Sequence, residues 1–147
     1  MRSHSPTTRE MSFLTMKVID RNGPIVEIDF HRKIESPEDM DVLLAEAESF
    51  MEAVVRPFSE RTYFVTCYDR LSVAVELIPK LRDRFSGFNK KYSKANVRYG
   101  GSTFAKTFVI ATSIKDKDDV ALYPDRERAI AAIREVVNGG ALPSPEQ

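Results

Sequence analysis

Hydrophobic and polar residues alternate along this chain with two periods, one typical of strands and one of helices. β-branched and aromatic runs predict five strands, at residues 11–20, 25–30, 62–68, 96–99 and 120–123. Asn22-Gly23 separates the first two runs and predicts an antiparallel hairpin whose loop is lengthened by Pro24. The run at 62–68 has no polar alternation, which indicates a central strand covered on both faces.

Apolar residues at helical spacing predict about four helices between and after these strands. The first begins at Ser36-Pro37-Glu38-Asp39, where serine caps the helix, proline fits its first turn and two carboxylates face the positive end of its dipole. It ends at Pro57, and its inward positions are Met40, Leu43, Leu44, Ala47, Met51 and Val54. Ser72 is predicted to cap the second helix, with a kink or a later start near Pro79. Asp125 is predicted to cap the last helix.

Residues 102–114 have a pattern that fits two structures. Their threonines, valine and isoleucines favour a strand. The preceding glycines and the helical spacing of Phe104, Phe108 and Ala111 favour a helix, which is the structure we predict.

The order of these elements predicts one α/β domain over residues 11–138. Its sheet is expected to be five-stranded and mixed, with an antiparallel first hairpin and mainly parallel strands after it, flanked by about four helices. Residues 1–10 and 139–147 have few bulky apolar side chains and carry Pro, Ser or Gly, so we predict that both are disordered tails.

Composition excludes several classes of protein without naming a function. The 147 residues carry 22 basic and 22 acidic side chains, so no overall charge points to nucleic acid or to an anionic membrane surface. No apolar run approaches the ~20 residues of a membrane helix, and the polar first ten residues are unlike a signal peptide. The single cysteine, Cys67, excludes an intramolecular disulfide, which fits a cytoplasmic location.

Charge is nevertheless distributed unevenly. Residues 35–60 contain eight acidic side chains and one basic side chain, whereas residues 80–98 contain seven basic side chains and one acidic side chain. The aromatic residues interleaved with the basic ones occupy core positions, so a solvated helix face is favoured over a nucleic-acid surface. The two segments would complement each other within the fold or between copies, and we predict a homodimer.

The residues that carry chemistry are few. His4 lies in a predicted tail, His31 is interpreted as a solvated strand-end histidine, and Cys67 as a small core residue. We therefore predict no catalytic, cofactor-binding or metal-binding residues. The turn formed by Gly100, Gly101 and Ser102 is a candidate anion-binding site on exposed amides, although a plain strand-to-helix turn explains it as well.

Ser72 is the polar residue that the pattern singles out. It follows the predicted central strand, where its hydroxyl would accept a hydrogen bond from a backbone amide at a helix start. It is alternatively a candidate phospho-acceptor, because a phosphate's negative charge is tolerated at that end of a helix and would change the surface there.

Three stretches stand out together: the strand containing Asp29 followed by Ser36-Pro37-Glu38-Asp39, the strand Tyr63 to Asp69, and the ending Leu122-Tyr123-Pro124-Asp125-Arg126-Glu127-Arg128-Ala129-Ile130. In their pattern and order they resemble the STAS domain. The resemblance covers roughly residues 15–137 and is greatest to the SpoIIAA-like branch of small, free-standing bacterial proteins. It implies a small sheet flanked by helices and a non-enzymatic switch whose serine, by position Ser72, is phosphorylated by a partner kinase. The family's Asp-Ser-x-Gly signature is absent, since the chain has Asp69-Arg70-Leu71-Ser72.

Two functional hypotheses follow, and neither is an enzyme. The first is a regulatory or protein-interaction domain with an unidentified protein partner. The second is a small-molecule binding protein for an apolar or anionic ligand near the strand ends, since some relatives of the STAS domain resemble lipid carriers.

Overall fold

A mixed β-sheet forms the centre of the computed structural model, which describes residues 8–100 and 122–141. Its strands lie side by side in sequence order. β1 and β2 run antiparallel to their next neighbours, and β3 to β6 run parallel to one another. The strands are β1 (Thr8–Glu10), β2 (Leu14–Asp20), β3 (Ile25–Phe30), β4 (Thr62–Cys67), β5 (Ser93–Tyr99) and β6 (Leu122–Tyr123).

Three α-helices accompany the sheet in the described residues: α1 (Pro37–Phe50), α2 (Ile78–Tyr92) and α3 (Arg126–Val137). The side chain of Ser36 accepts a hydrogen bond from the amide of Asp39, and Asp125 accepts one from the amide of Arg128, which confirms both predicted caps. None of these helices is long and apolar enough to cross a membrane.

The two faces of the sheet are covered differently. Val26, Ile28 and Phe30 of β3 face the larger core, which lies beneath α1 and α2. The alternate residues of the parallel strands face the smaller core beneath α3, where Val65 and Val97 are fully buried. This alternation follows from the two-residue period of a strand, and among the described helices it places α3 on the side of the sheet opposite to α1 and α2.

Over residues 8–100 and 122–141 the sheet has six strands and not the predicted five. The additional strand is β1, which lies within residues 1–10, where the sequence predicts a tail. Thr8 to Glu10 pair with β2 through main-chain hydrogen bonds at the sheet edge, where Arg9 is opposite Met16. This pairing does not require apolar side chains, so the sequence shows no strand pattern there. The Arg9 guanidinium lies 6.0 Å from the centroid of the Phe50 ring, which ties this polar strand to the core.

The described residues contain three α-helices, one fewer than the four that the sequence predicts. The predicted helix over residues 102–114 lies outside the described part of the chain. At the other boundary, the amides of Gly139 and Gly140 donate to the carbonyls of Val136 and Glu135 and close α3 with a glycine cap. The predicted tail at 139–147 therefore begins with a helix cap.

The acidic and basic segments meet within one chain. Arg84 of α2 donates to Asp41 of α1 at 2.8 Å, and the Tyr92 hydroxyl donates to Glu52 at 2.6 Å. The acidic and basic side chains of the two segments are therefore partly paired with each other within one chain. The homodimer stays a prediction.

Candidate functional site

The carboxyl ends of β3 to β6 lie at one edge of the sheet because these strands are parallel. Their register aligns Asp29 with Cys67, Cys67 with Tyr99, and Tyr99 with Tyr123. All four side chains fall on the α3 face, and each is the last residue of its strand except Asp29, which is the last but one. The carboxyl edge of parallel strands is where ligands bind in open α/β sheets, so this edge is the candidate site.

Ser72 lies at this edge but does not cap a helix. The second helix begins at Ile78 after a 3₁₀ turn at Val75–Leu77, and the position before its first residue is Leu77. The predicted cap at Ser72 is therefore wrong, whereas the later start near Pro79 is confirmed. The chain stays extended after β4 because the carbonyl of Ser72 accepts from the amide of Ile34 at 2.9 Å.

Residues 71–75, called here the 71–75 segment, form an anchored extension beside the strand ends. Ile34 and Val73 form a parallel β-bridge, and the amide of Ala74 donates to the carbonyl of Ile34 at 2.9 Å. Leu71 and Val73 are buried, while Ser72 between them is half-buried. Because side chains alternate along an extended chain, Ser72 lies on the outer side.

Val75 ends this segment and is the most exposed large apolar residue of the described chain. Its relative exposure is 77%, compared with 44% for Val42 and 37% for Phe58. A fixed backbone beneath an exposed apolar side chain is a feature of interaction surfaces, because little conformational freedom is lost when a partner binds.

A buried carboxylate, Glu27, organises the inner part of the edge. Arg126, in the first turn of α3, donates two hydrogen bonds to Glu27, from Nε to Oε2 at 2.7 Å and from Nη2 to Oε1 at 3.0 Å. The Tyr99 hydroxyl donates to the same Oε2 at 2.7 Å. This bidentate geometry gives the guanidinium a fixed orientation, and it ties α3 to β3 across β4 and β5.

The pKa values of these groups follow from that geometry. Burial raises the pKa of Glu27, but the hydrogen bonds from Arg126 and Tyr99 and the charges of Arg126 and Lys17 outweigh it, so the net pKa is lowered. Burial and the bond to Glu27 raise the pKa of Tyr99. Glu27 is therefore ionised and Tyr99 protonated at neutral pH, and each already has its partner within the fold.

Asp29 and His31 carry the two buried side-chain atoms of the described chain that lack a hydrogen-bond partner, Oδ1 and Nε2 respectively. The other carboxylate oxygen of Asp29 accepts from Arg70 at 2.9 Å. His31 was predicted to be a solvated strand-end histidine. In the structure its side chain is half-buried. Its amide donates to the carbonyl of Phe13 at 3.0 Å, which continues the β2–β3 pairing and keeps His31 against the sheet.

Cys67 is buried at the end of β4, as predicted for a small core residue. Burial raises the pKa of its thiol above the ordinary value, although hydrogen bonds from Asp69 and Tyr99 act in the opposite direction. The thiol therefore stays protonated at neutral pH, which is the less reactive form.

Of the candidate anion-binding turn, only Gly100 lies within the described residues. Its amide donates to the carbonyl of Tyr123 at 3.1 Å, so the sheet uses this donor. Gly101 and Ser102 lie outside the described residues. The anion site stays a prediction that would depend on the remaining two amides.

A groove of about 260 Å³ lies between α1 and α2, away from this edge. Its lining combines apolar Leu44 and Phe88 with charged Glu48, Asp83 and Arg84, and Gly87 contributes no side chain to it. Elsewhere, the described residues contain no group of three or more His, Cys, Asp or Glu side chains arranged to hold a metal ion.

Comparisons with protein-family models, curated proteins and solved structures found no match to this chain. The resemblance to the STAS domain therefore rests on the residues quoted above.

The Glu27 cluster is the part of the site that sequence analysis missed. A signal was present, because Glu27 interrupts the apolar run Ile25-Val26-Glu27-Ile28. A charged side chain within such a run is buried with its strand and therefore needs a partner of opposite charge or a hydrogen-bond donor. Its partners could not be found in this way, since Tyr99 and Arg126 are 72 and 99 residues away.

Proposed function

We propose that this chain is a non-catalytic protein-interaction domain of the STAS-like type that contacts its partner through the 71–75 segment. The observation that carries the proposal is Val75, which is 77% exposed on a backbone held by the bridge between Ile34 and Val73. An apolar side chain on a preorganised backbone is an effective anchor for a partner.

Ser72 gives the same segment a place for regulation. It lies between buried Leu71 and Val73, so a phosphate there would be presented outward, next to Val75 and away from the core. A phosphate adds about −1.5 to −2 charge, which would change the affinity of a partner seated on Val75. As no helix begins at Ser72, this effect would act on the surface and not through a helix dipole.

Small-molecule binding is the second candidate function. The groove between α1 and α2 favours it, because its lining joins apolar Leu44 and Phe88 to the charged side chains of Glu48, Asp83 and Arg84. Its volume of about 260 Å³ is below the ~300–1,000 Å³ usual for ligand pockets, so protein interaction is the better-supported proposal.

The decisive variant is Val75→Asp, with Val42→Asp as its matched control. Both valines are exposed, so Val75→Asp should change the free energy of unfolding by about 0.5 kcal/mol or less. Val42→Asp should cost up to about 1 kcal/mol, because it places a carboxylate four residues from Glu38 and from Glu46 in α1. Native mass spectrometry of protein purified from its own host should show a retained protein partner for the wild type and for Val42→Asp. The partner should be lost with Val75→Asp.

Equal retention by both variants would show that the 71–75 segment is not the contact. A retained small molecule with no protein partner would instead support the second candidate function.

Two substitutions of Ser72 distinguish a regulatory role of its side chain from a structural one. Because it lies five residues before the 3₁₀-to-helix junction at Leu77, Ser72→Ala should cost less than the ~0.5–2 kcal/mol of a lost helix cap. Ser72→Asp should change the affinity for the partner measured above while leaving the melting temperature nearly unchanged. Unaltered affinity with Ser72→Asp would remove the regulatory part of the proposal.

A further inference from the structure

A basic surface lies at the opposite edge of the sheet, where β3, β4 and β5 begin; we call it the amino edge. Helices α1 and α2 end there because they return the chain from the end of one strand to the start of the next. Five cations that form no ion pair among the described residues lie at this edge: Arg21, Arg61, Lys90, Lys91 and Lys94.

Two aromatic rings that are not fully buried lie directly beneath two of these cations. The Arg21 guanidinium is 4.2 Å from the centroid of the Phe58 ring, and Lys94 Nζ is 5.3 Å from that of Tyr63. Phe58 is 37% exposed and Tyr63 is half-buried. The segment 80–98 keeps its own aromatics in the core, as predicted, so the rings at this surface come from other parts of the chain.

Hydrogen bonds to backbone carbonyls hold part of this surface in place. Lys94 Nζ donates to the carbonyl of Gly23 at 3.1 Å, and the Arg61 guanidinium donates to the carbonyl of Lys90. These bonds join the hairpin turn to the start of β5, and the residue before β4 to the end of α2. The cations are thus positioned by the fold before any partner arrives.

Two of the carboxylates at this edge already have partners. Asp20 lies 3.9 Å from Arg134, and Glu52 accepts from both Arg56 and Tyr92 and also interacts electrostatically with Lys91. Glu48 and Glu60 are further exposed carboxylates here. The amino edge therefore carries excess positive charge on a chain whose overall formal charge is zero.

We infer that the amino edge binds an acidic segment of another protein, with carboxylates on Lys90, Lys91 and Arg21 and an apolar side chain against the part of Phe58 that stays exposed beside Arg21. A nucleic acid fits less well, because stacking bases would have to displace Arg21 and Lys94 from the ring faces they cover. This contact lies at the edge opposite to the 71–75 segment, so it does not depend on the proposed function.

The probe is a fluorescently labelled random copolymer of glutamate and tyrosine, titrated with the full chain while anisotropy is measured. The test variant combines Arg21→Ser, Lys90→Ser and Lys91→Ser. The matched control combines Arg32→Ser, Lys33→Ser and Lys80→Ser, which removes the same charge from exposed positions elsewhere. Each exposed ion pair contributes a few-fold to affinity, so the test variant should bind about tenfold more weakly and the control nearly as well as the wild type.

Binding should also weaken as salt is raised, because exposed charges are screened over ~8–10 Å at physiological ionic strength. Phe58→Ser alone should reduce affinity for the copolymer more than for polyglutamate. Equal losses in the two triple variants, or no binding of the copolymer by the wild type at low salt, would overturn the inference. Tighter binding of oligothymidylate, or of phosphatidylserine vesicles, would replace it with a nucleic-acid or membrane contact.

Discussion

Glu27→Gln should lower the free energy of unfolding by about 2–3 kcal/mol at neutral pH. Glu27 is only 8% exposed, and its carboxylate accepts two hydrogen bonds from Arg126 and one from Tyr99. Removing one partner of a buried ion pair costs about 3–5 kcal/mol. The loss should be smaller here because the Arg126 side chain is half-exposed and regains water when Glu27 no longer holds it.

The same contact makes stability depend on pH in a defined direction. The pKa of Glu27 in the folded chain lies below its ordinary value of 4.5, so the unfolded chain takes up a proton at higher pH than the folded chain does. The stabilisation by Glu27 is therefore fully present above the unfolded pKa and is lost as pH falls through the lower, folded pKa. Glu27→Gln should flatten this part of the acid dependence.

Urea unfolding at neutral pH and at several acidic pH values would measure both effects. Asp29→Asn is the matched control, because Asp29 is half-buried but its partner Arg70 is exposed, so their ion pair should contribute about 1 kcal/mol or less. If Glu27→Gln were no more destabilising than Asp29→Asn, the cluster would not hold α3 to the sheet as its geometry indicates.

Local signals in the sequence were sufficient for much of the fold. Ser36 and Asp125 cap helices as predicted, since capping depends on residues only three positions apart. The first hairpin and the central strand β4 are also confirmed, because hydrophobic pattern and turn residues specify them locally.

The end of α1 shows where a regular period fails. Helical spacing assigns Val54 to the core, yet the structure fully buries Val55 and leaves Val54 partly buried. The cause is a π-helical turn at Met51–Val55, in which the amide of Arg56 donates to the carbonyl of Met51 five residues earlier. The additional residue in this turn rotates the following side chains relative to a 3.6-residue period.

The candidate site depended more on tertiary pairing and was predicted less well. Ser72 was placed at the correct edge but in the wrong local structure, because its extended backbone depends on pairing with Ile34, which is far away in the chain. A serine after a strand favours a helix cap on local grounds alone. Nothing near Ser72 in the sequence indicates that a distant β-bridge overrides that preference.

Ile34→Ala should destabilise the chain by about 2–4 kcal/mol, the second large effect that we expect. Ile34 is 0% exposed within the core beneath α1 and α2, and truncating a buried isoleucine removes apolar contacts and leaves a cavity. Val75→Ala is the matched comparison at the end of the 71–75 segment. It should change the free energy of unfolding by less than about 0.5 kcal/mol, because that side chain is 77% exposed.

Hydrogen exchange would test whether Ile34 also fixes the 71–75 segment. The amide of Ala74 donates to the carbonyl of Ile34, so it should exchange faster in Ile34→Ala than global destabilisation explains, relative to amides within β4. In Val75→Ala its protection should be unchanged. Equal acceleration of the Ala74 and β4 amides in Ile34→Ala would mean that the segment opens only with the whole domain. Excess acceleration at Ala74 would mean that burial of Ile34 holds in place the backbone that carries exposed Val75.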